Sequence, residues 1–243
     1  MKIEPETNNQ IQELEDNVST NPLAQQNDAQ KPPFSFKEIM EAFERNEDGD
    51  AYLMSQLFKD LYIYDHASQR WHIFVGPTWV KDRIEEVLAS TEALADVYRY
   101  AAKQIAWNEK KAKKAGKKEA AAAYKAMRKE VQKRICELHA LPRKKRILEL
   151  AVSGQNSLGI SGDEWDRDPY VLAFENGVLD LKTFEFREGL PSDYLKRKAN
   201  AAWKSIDEPA PIWEETLRTT FNGNQELVDF FQRVVGISLL GII

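Results

Sequence analysis

Lys110-Lys111-Ala112-Lys113-Lys114-Ala115-Gly116-Lys117-Lys118 separates two stretches of helical periodicity, and the reading of this junction decides the architecture. Upstream, Ile84, Val87, Leu88, Leu94, Val97 and Tyr98 form an apolar stripe that predicts a helix from near Val80 to Trp107. Downstream, Tyr124, Met127, Val131, Ile135 and Leu138 recur at steps of three and four and define one buried seam. Gly116 breaks the pattern between them and marks a reversal. Two antiparallel helices sealing that seam would carry the lysines at their tip.

The charge distribution singles out the same place. The 243-residue chain has a net charge of only −5, yet residues 103 to 146 hold sixteen Lys/Arg against four Asp/Glu. Segregation on this scale points to a polyanionic partner that the net charge alone would hide. Lys110, Lys111, Lys113, Lys114, Lys117 and Lys118, with Lys125 and Arg128 farther along the second helix, are the candidate nucleic-acid contacts. The plain alternative is a solvated, lysine-rich helix tip. The longest apolar run, Val234 to Ile243, is about ten residues, short of the roughly 18–20 that span a membrane. The first residues lack the order of a secretory leader, so a cytoplasmic protein is expected. Cys136, the single cysteine, can form no intrachain disulfide or Cys-rich zinc site and is expected to be a small core residue.

Three segments follow from composition. Residues 1–33 have few large apolar side chains and end in Lys31-Pro32-Pro33, the pattern of a disordered polar tail. Residues 34–150 open with Phe36, Ile39, Met40 and Phe43 at helical spacing, capped by Ser35 with Glu38 three residues on. The acidic loop Asn46 to Asp50 then breaks that helix. It lacks the bidentate Glu of a calcium loop, and a second short helix is read from Tyr52 to Lys59. Leu61 to Tyr64 and Trp71 to Val75 read as a β-hairpin, ahead of the long helical hairpin. Residues 151–243 hold a small sheet from Tyr170–Phe174, Val178–Leu181 and Phe184–Arg187, then a helical pair, Trp213–Phe221 and Glu226–Leu240. The fold class is α+β, predominantly α: a long helical hairpin, two small β-hairpin or sheet elements, and a C-terminal helical pair.

Catalytic chemistry is not legible. No glycine-rich loop with a Lys-Ser/Thr pair is present, and His66, His72 and His139 are scattered. Asp163, Glu164, Asp166 and Asp168 precede a strand, and paired carboxylates can hold magnesium, but a solvated loop is the stronger reading. No metal, no cofactor and no catalytic residue are expected in this chain.

Leu172-Ala173-Phe174-Glu175-Asn176-Gly177-Val178-Leu179-Asp180-Leu181, Pro191-Ser192-Asp193-Tyr194-Leu195, Pro209, Pro211 and Trp213, and Phe230-Phe231-Gln232-Arg233 carry a resemblance. With Trp71, Gly76 and Trp79 farther upstream, they resemble the region immediately before the ATPase of phage and plasmid primase–helicases, the group that includes the poxvirus enzyme and has a superfamily 3 motor. The resemblance implies a non-catalytic DNA-binding and assembly module of a replicative helicase, with ATP and Mg used by the parent protein. Its implied partners are DNA, single-stranded or forked, the parent's own ATPase domain, and further copies of itself. It implies that Asn176, Gly177, Asp180 and Trp213 are structural, and that a motor would follow beyond Ile243, against which the apolar end would pack. Phe184 stands where the family commonly has glycine, so a wider turn is expected. The alternative function is a protein-interaction module without DNA contact, anchored on Trp107, Tyr124 and the last helix.

Overall fold

The computed structural model describes residues 32–154 and 157–240. The tail expected over 1–33 lies outside the described residues but for Pro32 and Pro33, as do Gly241, Ile242 and Ile243. The described chain forms two compact units, one of residues 32–64 and 82–159, the other of residues 65–81 and 160–240. The fold is α+β and mainly α.

The first unit begins with α1 (Phe36–Glu44), closed by the expected capping box: Ser35 Oγ accepts from the Glu38 N–H at 3.2 Å, and the Glu38 carboxylate accepts from the Ser35 N–H at 2.7 Å. Asn46, at φ 58°, turns the chain, and α2 (Glu47–Leu57) starts at once. The acidic run read as a loop is therefore the first turn of a helix, where carboxylates favour the positive end of the dipole. Gly49 lets α2 lie against α1, since a Cβ there would sit 1.8 Å from the Ala42 carbonyl oxygen. Ile39, Leu53, Met54 and Phe58 are sealed in the core.

β1 (Tyr62–Asp65) and β4 (Gly159–Ile160) run side by side, with Tyr64 N–H donating to the Leu158 carbonyl at 2.7 Å. β3, Trp79–Lys81, replaces the start of the helix predicted from Val80. Asp82 then caps a separate short helix, α3 (Glu86–Ser90), by accepting from the N–H groups of Ile84, Glu86 and Val87. The chain turns at Thr91 and Glu92 before α4 (Ala93–Lys114), so one predicted helix is in fact a strand and two helices. Ile84, counted in the apolar stripe, is exposed.

α4 packs along α5 (Lys118–Glu137), and Gly116, at φ 72°, makes the turn. The long helical hairpin is thus present. Its seam differs in detail: Val131 and Leu138 are buried, but Ala121 and Arg134 share the buried face, while Met127 is exposed. Cys136, expected in the core, is exposed, because the buried positions of that turn are taken by Arg134 and Leu138. α6 (Leu141–Ala151), which the sequence reading passed over, packs on α2 and places Arg143 and Ile147 inward.

In the second unit, β2 (Arg70–Phe74) pairs antiparallel with β3, Ile73 opposite Val80. Trp79 is buried here, its Nε1 donating to the Pro191 carbonyl at 2.9 Å. A three-stranded antiparallel sheet follows, β5 (Val171–Phe174), β6 (Gly177–Asp180) and β7 (Phe186–Arg187), with β6 central. Ala173, Val178 and Leu195 form its small core. Phe184 takes the left-handed conformation (φ 58°) that glycine adopts freely, and its N–H donates to the Asp180 carbonyl at 2.8 Å; with Leu179 opposite Phe186, the connection is wider than a two-residue turn, as expected. α7 (Pro211–Thr220) and α8 (Gln225–Ser238) complete the unit as the expected helical pair, with Phe231 against Trp213 and Phe221.

Candidate nucleic-acid interface

The root of the α4–α5 hairpin is fixed by one buried carboxylate. Asp50, fully buried on α2, accepts hydrogen bonds from Tyr98 Oη (2.6 Å, α4), Arg134 Nη1 (3.0 Å, α5), and Arg143 Nε (3.0 Å) and Nη2 (2.6 Å, α6). Asn46 Oδ1 accepts from both guanidiniums, at 2.9 and 3.0 Å. Four helices therefore meet on one charge that is paired and saturated with donors, the condition under which a buried ion is tolerated. Burial, then the Asp50 charge beside it, raises the Tyr98 phenol far above its usual range. Arg134 also lies over the Phe43 ring, 4.8 Å from its centroid.

The tip is built differently. Ala112 and Ala121 fill the seam near the turn, small enough for the helices to approach closely, and the lysines project outward. Lys110, Lys111, Lys113, Lys114, Lys117, Lys118 and Lys125 are all exposed, so the structure gathers the predicted basic residues at one end of the hairpin. It divides them, however. Glu109, buried in the seam, pairs with Lys113 Nζ at 2.6 Å and with Arg128 Nε at 3.2 Å. The Lys113 hydrogen bond, opposed by desolvation and aided by both cations' charges, holds the Glu109 carboxyl below its ordinary range. Lys110, Lys114, Lys117, Lys118 and Lys125 have no ion-pair partner among the described residues, and Lys111 lies over the Trp107 ring at 5.1 Å. Trp107 itself is 60% exposed. Glu109 went unremarked in the sequence, although a carboxylate four residues before Lys113 on a helix is a readable pairing signal.

The other singled-out residues lie in the second unit. The Asn176 side chain closes a two-way bond with the Trp203 backbone, Nδ2 donating to the carbonyl and Oδ1 accepting from the N–H, each at 2.8 Å. A Cβ on Gly177 would stand 2.6 Å from the Arg187 carbonyl oxygen and from the Phe186 ring. Asp180 Oδ1 accepts from the N–H groups of Lys182 and Thr183 and shapes the turn to β7; these bonds lower its pKa. Trp213 is partly exposed on α7, against Phe231.

The acidic cluster is spent on its own backbone. Glu164 accepts from Ser161 and Gly162, Asp166 from the Lys196 N–H, and Asp168 from the Tyr170 N–H. Among the described residues no group of three or more His, Cys, Asp or Glu is placed to hold a metal ion. No helix among them is long and apolar enough to cross a membrane.

Comparison with known proteins places the chain in a family. Residues 51–222, which include the Asp180 turn and the whole basic hairpin, match the family described as D5 N terminal like. The helicase-named protein 184R of Invertebrate iridescent virus 6 is 44% identical over 82 residues, 32% of this chain and 8% of that protein. The helicase-named protein 121R of Invertebrate iridescent virus 3 is 50% identical over 38 residues, 16% of this chain and 4% of that one. The matched stretches are thus small parts of much longer relatives. With the family model covering most of the chain, this protein belongs to the D5 N-terminal-like family.

Proposed function

We propose that the chain is a non-catalytic, replication-associated module that contacts DNA through the tip of its helical hairpin and serves a helicase motor of the kind its viral relatives are named for. The observation that carries the reading is the set of six exposed lysines without a carboxylate partner among the described residues: Lys110, Lys111, Lys114, Lys117, Lys118 and Lys125. Cations left unneutralised on a rigid support release counterions from phosphates on contact, which makes binding sequence-tolerant and salt-sensitive. Assembly into an oligomer and docking to an ATPase domain belong to the same proposal. Supporting them is α8, where Phe230, Val234 and Ile237 are exposed on one apolar helix.

The test is fluorescence anisotropy of a labelled single strand. Six contacts give a logarithmic salt slope of about −4. Changing Lys110, Lys114, Lys117 and Lys118 to glutamate is expected to abolish the binding while leaving the thermal unfolding midpoint nearly unchanged. No binding by the folded wild-type chain would sink the DNA reading. It would leave the second reading, protein docking through the exposed apolar helix, in its place.

A further inference from the structure

Around α4, at 3.6 residues per turn, Tyr100, Lys103, Trp107, Lys110, Lys111 and Lys114 all fall within an arc of about 100°. Ala101, Ile105, Glu109 and Ala112, on the other side of the helix, are buried. Trp107 is therefore the centre of an outward stripe in which aromatic rings alternate with cations. Lys103 and Lys111 flank it about 6 Å away along the axis, in either direction. A large ring left 60% exposed on a helix that has a buried face available is not serving the core. Lys111 Nζ lies over one face of the ring at 5.1 Å, so a stacking base would take the other face or displace this ammonium, which has no carboxylate partner among the described residues and is free to pair with a phosphate.

Duplex DNA hides its base faces in the stack, so an exposed indole gains nothing from it beyond what lysines supply. An unpaired base offers a π-face, and stacking on an aromatic ring adds to the phosphate contacts whatever the base. We infer that Trp107 is a stacking platform for an unpaired nucleobase, with Lys103, Lys110, Lys111 and Lys114 holding the adjoining phosphates, so that the hairpin prefers single-stranded nucleic acid. This rests on the DNA-contact reading and adds to it the class of strand bound. Tyr100, half-buried two turns toward the root, is placed to take a second base.

The experiment compares the full chain with its Trp107→Ala and Trp107→Phe variants. The three probes are an oligothymidylate, a strand of equal length whose residues are abasic, and a duplex. Wild type is expected to bind oligothymidylate more tightly than the abasic strand. Trp107→Ala should weaken oligothymidylate binding about fivefold or more, leave the other two probes unchanged, and be largely rescued by Trp107→Phe. If Trp107→Ala leaves the ratio of oligothymidylate to abasic affinity as it was, while the lysine reversals still abolish binding, the platform is wrong and the DNA contact stands. Equal losses on all three probes would assign Trp107 to holding the hairpin together and overturn the platform. Absence of binding by wild type to every probe overturns both readings and returns Trp107 to a protein-docking role.

Discussion

Asp50 is one of four acidic residues in a run of seven, and nothing in that run distinguishes the one that is fully buried. Its partners, Arg134 and Arg143, lie 84 and 93 residues away, so the pairing is written in tertiary structure. Asp50→Ala would strand two buried guanidiniums and is expected to cost about 3–5 kcal/mol, read as a lower urea midpoint. Replacing Arg143 by methionine in the same chain should recover part of that loss. At Phe184 the prediction has the opposite sign. The side chain is 58% exposed and contributes little packing, while its left-handed backbone is unfavourable for any residue with a Cβ. Phe184→Gly is expected to stabilise by about 0.5 kcal/mol once the added entropy of the unfolded chain is set against the relieved strain. Thermal unfolding of the second unit would register it. The departure at Phe184 was visible in the sequence; its backbone conformation was not, because only the closing bonds of the turn define it.

Among the elements, the hairpin was the most legible, since more than ten residues of period 3.6 on each side of a single glycine leave few other readings. The seam's composition was less so. Arg134 occupies a buried position that an apolar pattern cannot flag, and Met127, which fits the pattern, is exposed. The short strand β3 and the break before α4 were hidden because Val80, Ile84 and Val87 fit a helical period equally well; what divides them is the Asp82 carboxylate, which accepts three backbone N–H groups. Glu109 sets how many cations the tip offers. Glu109→Gln would release Lys113 and Arg128 and is expected to steepen the salt slope on single strands by up to about 1.4, two further contacts at 0.7 each. Anisotropy across a salt series measures this directly, and an unchanged slope would mean that neither cation reaches the strand.

For the whole molecule, acid should act in two stages. His72 is buried, and its pKa is lowered by desolvation first and by Lys196 next, with the Arg70 backbone and Asp65 opposing and Lys81 adding slightly. The folded state thus keeps it neutral where the unfolded chain would already take a proton, so stability falls as pH drops below about 6.5. Asp65, Glu92, Glu109 and Asp193 are all lowered; for Asp65 and Asp193 burial pushes upward, but hydrogen bonds prevail. Their contribution is present above the unfolded carboxylate range and is lost as pH falls below about 4.5. Glu86, raised by burial and by Asp82, works the other way just above that value. Thermal midpoints between about pH 7 and pH 5 should therefore decline in the wild type and stay flatter in His72→Gln, whereas the later loss should be common to both.

The Asp50 clamp has a mechanical meaning as well. From Tyr98 at the clamp to Lys114 at the tip is about 24 Å of continuous helix. Two helices joined along their length bend little, so the hairpin behaves as a lever arm with its pivot at Asp50. Were a strand bound at the lysines and pulled sideways, it would exert a torque there, resisted by the four bonds from Tyr98, Arg134 and Arg143. Load applied at the tip is thereby delivered into α2 and α6 at the root.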